Sequence, residues 1–340
     1  MIESVKLKDF GPIADLSYSP FGKINLFIGP NRSGKTTLLK TLYAVRRSME
    51  LSARDVDAGL DDRILAGKLT DTFRVNGLAE LVHRPYRGDL QFSMTEKGKG
   101  EISFKIAADG GIKVSSAMPP VKANSVFMPA KEVLSLIDII RYHREHNTPY
   151  GFDDTYYDLV LALEQTPKDS QSKSLAAVRK KLEESLGGSI AFNRDRNRWE
   201  YRQCSGTYDI GITSEGTKKL GIFDALIANR FLSRDSAVFI DEPEVGLHPG
   251  ILVKMIDIIA MLARAGMQFF ISSHSYFVIK KLYLIAQQQN CSIPVISFNP
   301  IADTSGEYFE TATVCDLRDG MPDNPIIEES IRLYEEELSL

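Results

Sequence analysis

One short segment limits the folds open to this chain more than any other part of the sequence. Residues 29–36 read GPNRSGKT and match the phosphate-loop pattern G-x-x-x-x-G-K-[ST] without a gap. The apolar run KINLFI precedes this segment, and Leu38, Leu39 and Leu42 follow it at helical spacing. A strand, a glycine-rich turn and a helix in this order predict a nucleotide-binding α/β domain.

Each part of the segment has a role in holding phosphates. Glycines let the backbone curl so that its N–H groups point at phosphate oxygens, and the helix beginning near Lys35 adds its positive end. Lys35 is predicted to reach the β and γ phosphates of ATP, and the Thr36 hydroxyl to bind Mg²⁺. The predicted nucleotide-binding residues are Gly29, Pro30, Asn31, Arg32, Ser33, Gly34, Lys35, Thr36 and Thr37.

A pair of carboxylates follows another strongly apolar run. Residues 237–240 read AVFI, and Asp241 and Glu242 come directly after them. This pattern places the acids at the carboxyl edge of a parallel sheet, where ligands bind. Asp241 is predicted to hold Mg²⁺ through its water shell, and Glu242 to polarise the attacking water as a general base. The long separation from Thr36 indicates a large insertion between the two motifs.

Composition excludes several other classes of protein. With 340 residues, 43% hydrophobic and 25% charged, the chain has globular values, which excludes disorder, collagen and a simple coiled-coil rod. The net charge of −4 equals that of residues 328–340, so the body is neutral and can still carry a local basic patch. The cysteines have no metal-binding spacing, and neither a signal peptide nor a membrane span is evident. We therefore expect a cytoplasmic protein with reduced thiols and no membrane contact.

Three further segments extend the order of motifs. SEGTK at 214–218 precedes a helix, PEVGLHP at 243–249 follows the carboxylate pair, and SSHS at 272–275 ends the next strand. In this order the sequence resembles the ATP-binding-cassette (ABC) ATPases, and DEPEVGLHP at 241–249 is similar to the SMC/RecF/OLD-like branch throughout. The resemblance implies an α/β fold: a P-loop NTPase head of the ABC type, with an antiparallel β subdomain and a short helical insertion.

The resemblance also assigns roles to individual residues. Ser214 and Gly216 match the signature segment, which in the family binds the γ-phosphate held by the other subunit. Residues 244–248 match a loop that crosses the dimer interface, and His274 matches a switch histidine that contacts the γ-phosphate and the attacking water. The implied catalytic residues are Glu242, His274 and Lys35, and the implied metal ligands are Thr36 and Asp241.

Several departures from the family pattern limit what can be carried over. The signature reads TSEGT instead of LSGGQ, and Gln91, in a predicted hairpin, is the one candidate for the family's Q-loop glutamine. The coiled-coil arms of SMC proteins and the TOPRIM nuclease domain of OLD proteins have no counterpart. The predicted parts are an N-terminal lobe with the phosphate loop and β-hairpins (1–129), a helical insertion (130–190), a C-terminal lobe with the signature, the acidic pair and the switch histidine (191–300), and a hairpin with an acidic tail helix (301–340).

The function implied by the resemblance is an ATP-binding and hydrolysing switch. Two heads are expected to enclose ATP head to tail, in a homodimer or a higher even oligomer. Short OLD-like ATPases of bacterial phage-defence systems look similar, which predicts a separately encoded effector such as a nuclease or toxin. The alternative is a DNA-binding repair or recombination ATPase of the SMC/RecF type. A transporter motor is disfavoured by the DEPEVGLHP segment, and a non-hydrolysing scaffold by Glu242.

Two segments leave their role open. Four arginines alternate with aromatic residues in a predicted hairpin, a combination that can grip phosphates and stack on bases, or form a solvated hairpin with cation–π contacts. These residues are Arg194, Arg196, Arg198, Trp199, Tyr201 and Arg202. The charged run 141–146 is either a second contact with nucleic acid or the polar end of a helix. The acidic tail helix docks on the body of the chain or on a partner.

Overall fold

The computed structural model describes residues 1–53, 61–83, 88–119, 121–146, 151–166, 173–302, 308–322 and 325–339. The strands are β1 (Ile2–Phe10), β2 (Ile13–Tyr18), β3 (Ile24–Ile28), β4 (Leu90–Glu96), β5 (Gly100–Ile106), β6 (Ile112–Ser116), β7 (Ser125–Met128), β8 (Ser189–Asn193), β9 (Arg198–Gln203), β10 (Gly206–Asp209), β11 (Ala237–Asp241), β12 (Gln268–Ser273), β13 (Pro294–Ala302) and β14 (Tyr308–Asp316). The helices are α1 (Lys35–Ser52), α2 (Asp62–Phe73), α3 (Ile137–Glu145), α4 (Asp154–Leu163), α5 (Lys173–Leu186), α6 (Glu215–Ala228), α7 (Pro249–Arg264), α8 (Tyr276–Gln289) and α9 (Pro325–Leu338). The predicted α/β class is confirmed.

A single mixed sheet runs through the molecule in the order β6-β5-β4-β1-β2-β14-β13-β3-β12-β11-β7. The five strands from β13 to β7 are parallel to one another. Strands β3 and β12 are buried along their whole length, as expected for a sheet covered on both faces. Apart from Asn25, β3 is apolar, and residues 269–271 form the apolar part of β12. Parallel pairing brings the carboxyl ends of β3, β11 and β12 to one edge.

The other half of the sheet is antiparallel and has one solvated face. Along β1, Val5 and Leu7 are buried while Lys6 and Lys8 are exposed, which is the period-two alternation of a half-buried strand. The buried face packs on the phosphate-loop helix α1 through residues such as Leu38. The sheet is therefore continuous from the lysine-bearing strands to the strands that carry the predicted site.

The helical insertion is attached to α1 by charged groups as well as by apolar packing. Lys68 of α2 forms buried ion pairs with Asp154 and Asp158 of α4, and the Tyr43 hydroxyl of α1 donates to Asp158. At the N-cap of α4, Lys40 Nζ lies 2.7 Å from Asp153. Since removing one member of a buried pair costs about 3–5 kcal/mol, these contacts fix the insertion against the phosphate-loop helix.

One expectation about secondary structure differs from the fold. The sequence LAELVHRPY at 78–86 predicts a strand of the N-terminal hairpins, whereas Leu78–Leu81 forms a 3-10 turn and residues 84–87 lie outside the described residues. The reason is the spacing of the buried side chains Leu78 and Leu81, which one turn of 3-10 helix places on the same side and a strand does not. The acidic tail helix forms as α9 and leaves Ile331 and Leu338 exposed. No helix within the described ranges is both long and apolar enough to cross a membrane.

Candidate active site

The phosphate loop lies between β3 and α1, and its glycines are required by close backbone contacts. A Cβ atom on Gly29, where φ is 143°, would lie 2.5 Å from the Phe298 carbonyl oxygen of β13. A Cβ on Gly34, where φ is 94°, would lie 2.7 Å from Ile13 Cγ1 in β2. Both positions need a glycine because of the left-handed backbone and the lack of space. The loop therefore curls tightly between two neighbouring strands.

Lys35 is buried at the start of α1 and points back into the loop. Its ammonium donates to the carbonyl oxygens of Gly29, at 2.9 Å, and Pro30, at 2.6 Å. Ser33 is also buried, and its hydroxyl has no hydrogen-bond partner among the described residues. Because a buried polar atom without a partner is costly, this hydroxyl fits a loop built to hold an anion such as a phosphate.

Thr36 and Asp241 meet at the edge of the parallel strands. Thr36 Oγ1 donates to Asp241 Oδ1 at 3.0 Å, and the Ser272 hydroxyl of β12 donates to the same oxygen. Burial raises the pKa of Asp241, although these two hydrogen bonds lower it. A carboxylate beside a hydroxyl could hold Mg²⁺, which prefers oxygen ligands and takes one or two carboxylates together with substrate phosphates. The described residues contain no cluster of three or more histidine, cysteine, aspartate or glutamate side chains that could hold a metal ion.

Glu242 follows directly and has an unusual backbone. Its φ is 46°, in the left-handed region, and its N–H donates to the Ser272 carbonyl oxygen at 3.0 Å. The carboxylate remains a quarter exposed, and its Oε1 lies 3.3 Å from His274 Nδ1. A backbone conformation of this kind costs energy for a residue other than glycine and is often found at functional sites. The structure thus brings the predicted base next to the predicted switch histidine.

Glu244 holds the segment that carries His274. Its Oε1 accepts hydrogen bonds from the Ser273 hydroxyl, at 2.8 Å, and from the His274 backbone N–H, at 2.9 Å. The same oxygen lies 3.5 Å from His274 Nδ1. The sequence assigned Glu244 only to an interface loop. This role depends on the parallel pairing of β11 with β12, which sequence spacing alone does not reveal.

The signature segment lies at the start of α6. Ser214 is exposed and caps the helix by accepting a hydrogen bond from the Thr217 N–H at 3.2 Å. A Cβ on Gly216 would lie 2.8 Å from Ile251 Cγ2, so a glycine is needed where α6 crosses α7. In the described part of the chain, the hydrogen bonds of the Ser214 side chain stay within the first turn of α6. The structure does not bring Ser214 into contact with this chain's own phosphate loop.

A buried lysine connects the signature helix to the loop after the acidic pair. Lys219 Nζ donates to the Val245 carbonyl oxygen at 2.6 Å. Burial lowers the pKa of Lys219, and the nearby Glu244 and Glu215 carboxylates oppose this shift. Sequence reasoning missed this contact, because a lysine one position after Lys218 suggests only a polar helix face.

Gln91 does not lie at the site. It is on β4, which is separated from β3 by β1, β2, β14 and β13, and its side chain is exposed on the outer face of the antiparallel strands. The alternation of β4, with Phe92 and Met94 buried, directs Gln91 to the opposite face. Its assignment as the Q-loop glutamine is therefore wrong.

The arginine-rich hairpin of β8 and β9 uses much of its charge internally. Arg196, Arg198 and Arg202 lie 3.9, 3.9 and 3.6 Å from the buried carboxylate of Glu200. Trp199 and Tyr201 are 6% and 7% exposed and belong to the core, so they cannot stack on bases. In the run 141–146, Arg141 pairs with Glu164, and Arg144 lies 2.7 Å from Asp71, as expected for the charged end of a packed helix.

A phosphate loop after one parallel strand, with an acidic pair at the end of a second parallel strand and β12 between the two, defines the P-loop NTPase fold. Within that fold, the chain has the architecture of an SMC head domain. It is similar to a crystal structure of the Smc head bound to the C-winged helix domain of ScpA, with 15% identity and a TM-score of 0.54, over 94% of this chain and 98% of that chain. It is also similar to the SMC head domain from Thermotoga maritima, with 13% identity and a TM-score of 0.48, over 92% and 98% of the two chains.

A family model gives a second, independent match. The family described as "AAA domain, putative AbiEii toxin, Type IV TA system" matches residues 123–280, which include the acidic pair, the signature and the switch histidine. A search of curated proteins found no match. Together, the family match and the fold support a P-loop ATPase of the SMC/ABC type.

Proposed function

We propose that this chain is an Mg²⁺-dependent ATPase that dimerises head to tail around ATP and thereby controls a separately encoded effector. One observation carries the proposal. One edge of the parallel strands collects a buried lysine, a hydroxyl–carboxylate pair joined by a hydrogen bond of 3.0 Å, and a glutamate–histidine pair whose nearest side-chain atoms lie 3.3 Å apart. This combination supplies phosphate binding, metal binding and activation of water at one place.

In the proposed reaction, each side chain has a separate task. Lys35 exchanges its contacts with the loop carbonyls for the β and γ phosphates of ATP. Thr36 and Asp241 would hold Mg²⁺, which neutralises charge on the phosphates when bound. Glu242 accepts a proton from the attacking water, and His274, fixed by Glu244, orients that water and the γ-phosphate.

The proposed dimer follows from the position of Ser214. This residue is exposed at a helix N-terminus, where a hydroxyl and free backbone N–H groups form an anion site. Because Ser214 does not contact the phosphate loop of its own chain, a second copy is the proposed owner of the γ-phosphate that it binds. ATP then bridges the two chains, and hydrolysis or product release breaks the bridge.

The ATPase proposal is tested by comparing the purified protein with a Lys35→Ala variant. The unaltered chain should release phosphate from ATP only when Mg²⁺ is present, and its mass in light scattering should double with ATP under non-hydrolysing conditions. Lys35→Ala should lose both properties, while Lys254→Ala, an exposed lysine on α7, should keep them. Equal hydrolysis by the Lys35→Ala variant would contradict the proposal.

The effector role rests on resemblance and on the family description, which names a putative toxin of a toxin–antitoxin system. A protein partner is also recorded for the Smc head, which is bound to a domain of ScpA. We propose a role in bacterial phage defence with a nuclease or toxin as effector. Affinity purification of the chain expressed with its neighbouring genes should recover a second protein in an ATP-dependent manner. Full protection against phage by the chain alone would refute a separate effector.

A further inference from the structure

The outer face of the antiparallel strands carries an unassigned basic hollow. It has a volume of about 470 Å³ and opens to solvent on β1, β4, β5 and β6. Four exposed lysines line it, namely Lys6, Lys8, Lys105 and Lys113. We infer that this surface, the lysine face, binds the phosphate backbone of double-stranded nucleic acid without reading its sequence.

The register of the strands arranges the face in two rows. One row runs across five strands through Asp15, Lys8, Gln91, Lys105 and Lys113. The neighbouring row has Lys6 flanked by serines, at Ser17, Ser93, Ser103 and Ser115. At the usual spacing of about 4.8 Å between strands, each row is about 19 Å wide. Small serines beside long lysines create the hollow and add hydroxyl groups that can hydrogen-bond to phosphates.

The charges on this face are unbalanced. Within the described residues, none of the four lysines forms an ion pair or a hydrogen bond. Lys105 and Lys113 lie directly opposite each other on β5 and β6, an arrangement that destabilises a sheet when both residues are charged. Asp15 is the one acid among the lining residues described, and Glu101 lies on the same face farther along β5. A bound polyanion would relieve the repulsion between the lysines.

The chemistry of the face favours duplex nucleic acid over other polyanions. No large apolar side chain is exposed on it among the residues described, whereas peripheral membrane binding requires apolar side chains that enter the lipid. It also lacks exposed aromatic residues, on which the bases of a single strand would stack. Lysine, serine and glutamine contacts to a phosphate backbone fix position without sequence readout.

The arginine-rich hairpin provides a matched comparison. Its arginines surround the buried Glu200, whereas the lysines of the lysine face surround no buried carboxylate within the described residues. We therefore expect the lysine face to bind nucleic acid and the arginine-rich hairpin not to bind it, although both are rich in basic residues.

Binding can be measured by fluorescence anisotropy with a 30-base-pair duplex, without nucleotide, so that the result is independent of the ATPase proposal. If four lysines each neutralise one phosphate, the slope of log K against log salt should be about −3.6, so affinity should fall about 150-fold between 50 and 200 mM salt. The double variant Lys105→Gln/Lys113→Gln should reduce the slope to about −1.8 and the fall to about 12-fold. These exposed substitutions should leave the circular dichroism spectrum unchanged.

The control is the double variant Arg196→Gln/Arg198→Gln, which should keep the affinity and slope of the unaltered chain. Duplexes of two unrelated sequences should bind equally. The inference is overturned if the lysine variant binds as tightly as the unaltered chain, if the arginine variant loses binding instead, or if the lysine face binds anionic phospholipid vesicles and not the duplex. Because Lys35→Ala should retain duplex binding, failure of the ATPase proposal and failure of this inference give different results.

Discussion

The two ends of the proposed ATP-binding surface differ in how complete they are within one chain. At the phosphate loop, Thr36, Asp241 and Ser272 already share hydrogen bonds, and Glu244 holds the backbone that carries His274. At the signature, the hydrogen bonds of the Ser214 side chain within the described residues go to Thr217 in its own helix turn. One end is organised before any ligand binds, whereas the other presents free donors to solvent. For the proposed ATPase, the difference predicts that hydrolysis depends on assembly of the second end.

Loss of the base at the complete end should have the largest effect. Changing Glu242 to Gln removes the proton acceptor but keeps the shape of the side chain, so the hydrolysis rate should fall by about 10²–10⁴-fold. ATP binding should persist, and light scattering should show an ATP-bound dimer that no longer dissociates. An unchanged rate would contradict the assignment of the base.

Blocking the incomplete end should separate binding from hydrolysis. Ser214→Arg places a large side chain on the exposed helix start, so ATP should bind one chain normally, while the dimer and at least about 90% of the hydrolysis rate should be lost. Ser205→Arg, on an exposed hairpin turn, is the control. If the Ser214→Arg variant hydrolyses ATP as a monomer at the full rate, the two ends do not depend on each other.

The clamp on the switch segment should have an intermediate effect. Glu244→Ala removes the acceptor of the Ser273 hydroxyl and the His274 N–H, so the turnover number should fall about 10–100-fold, corresponding to about 1.4–2.7 kcal/mol. Glu244→Gln keeps an acceptor oxygen and should lose much less. Equal losses in both variants would mean that the charge of Glu244, and not its hydrogen bonds, is what matters.

The smallest expected effect is on stability, and here the substitution should be a gain instead of a loss. Burial raises the pKa of Asp241, so the folded state binds this proton more tightly than the unfolded state. The free energy of unfolding then falls as the pH rises from about 3.9 through the raised folded-state pKa, and the charged form costs stability above it. Asp241→Asn should therefore increase the free energy of unfolding at neutral pH by about 1 kcal/mol. Urea denaturation at several pH values measures whether Asp241→Asn raises the free energy of unfolding at neutral pH. The same measurement shows whether this gain disappears at acidic pH.

The sequence predicted those parts of the site that are formed by residues adjacent to one another along the chain. The phosphate loop and the acidic pair are each a strand followed directly by polar residues, so their positions at the sheet edge follow from local patterns. The clamp by Glu244 and the contact of Lys219 with Val245 could not be predicted in this way. They join segments that are adjacent only because β11 pairs with β12 and α6 packs beside the following loop.

Charge patterns were the least informative part of the sequence. The hairpin arginines stood out because they alternate with aromatic residues, yet that alternation buries Trp199 and Tyr201 in the core. The lysines of the lysine face are distributed over the three strands β1, β5 and β6, so they form a surface only through strand pairing. Tertiary neighbours, which composition does not contain, decide whether a basic residue is already neutralised.

The left-handed backbone of Glu242 has a consequence for how this site can change during evolution. Asparagine, aspartate and glycine tolerate such a conformation, whereas β-branched residues pay a much larger steric cost in it. Mutational drift away from catalysis should therefore pass through small or amide-bearing residues at this position, and valine, isoleucine or threonine should be rare even in relatives that have stopped hydrolysing ATP. A survey of natural variants at this one position would then separate lost chemistry from lost folding.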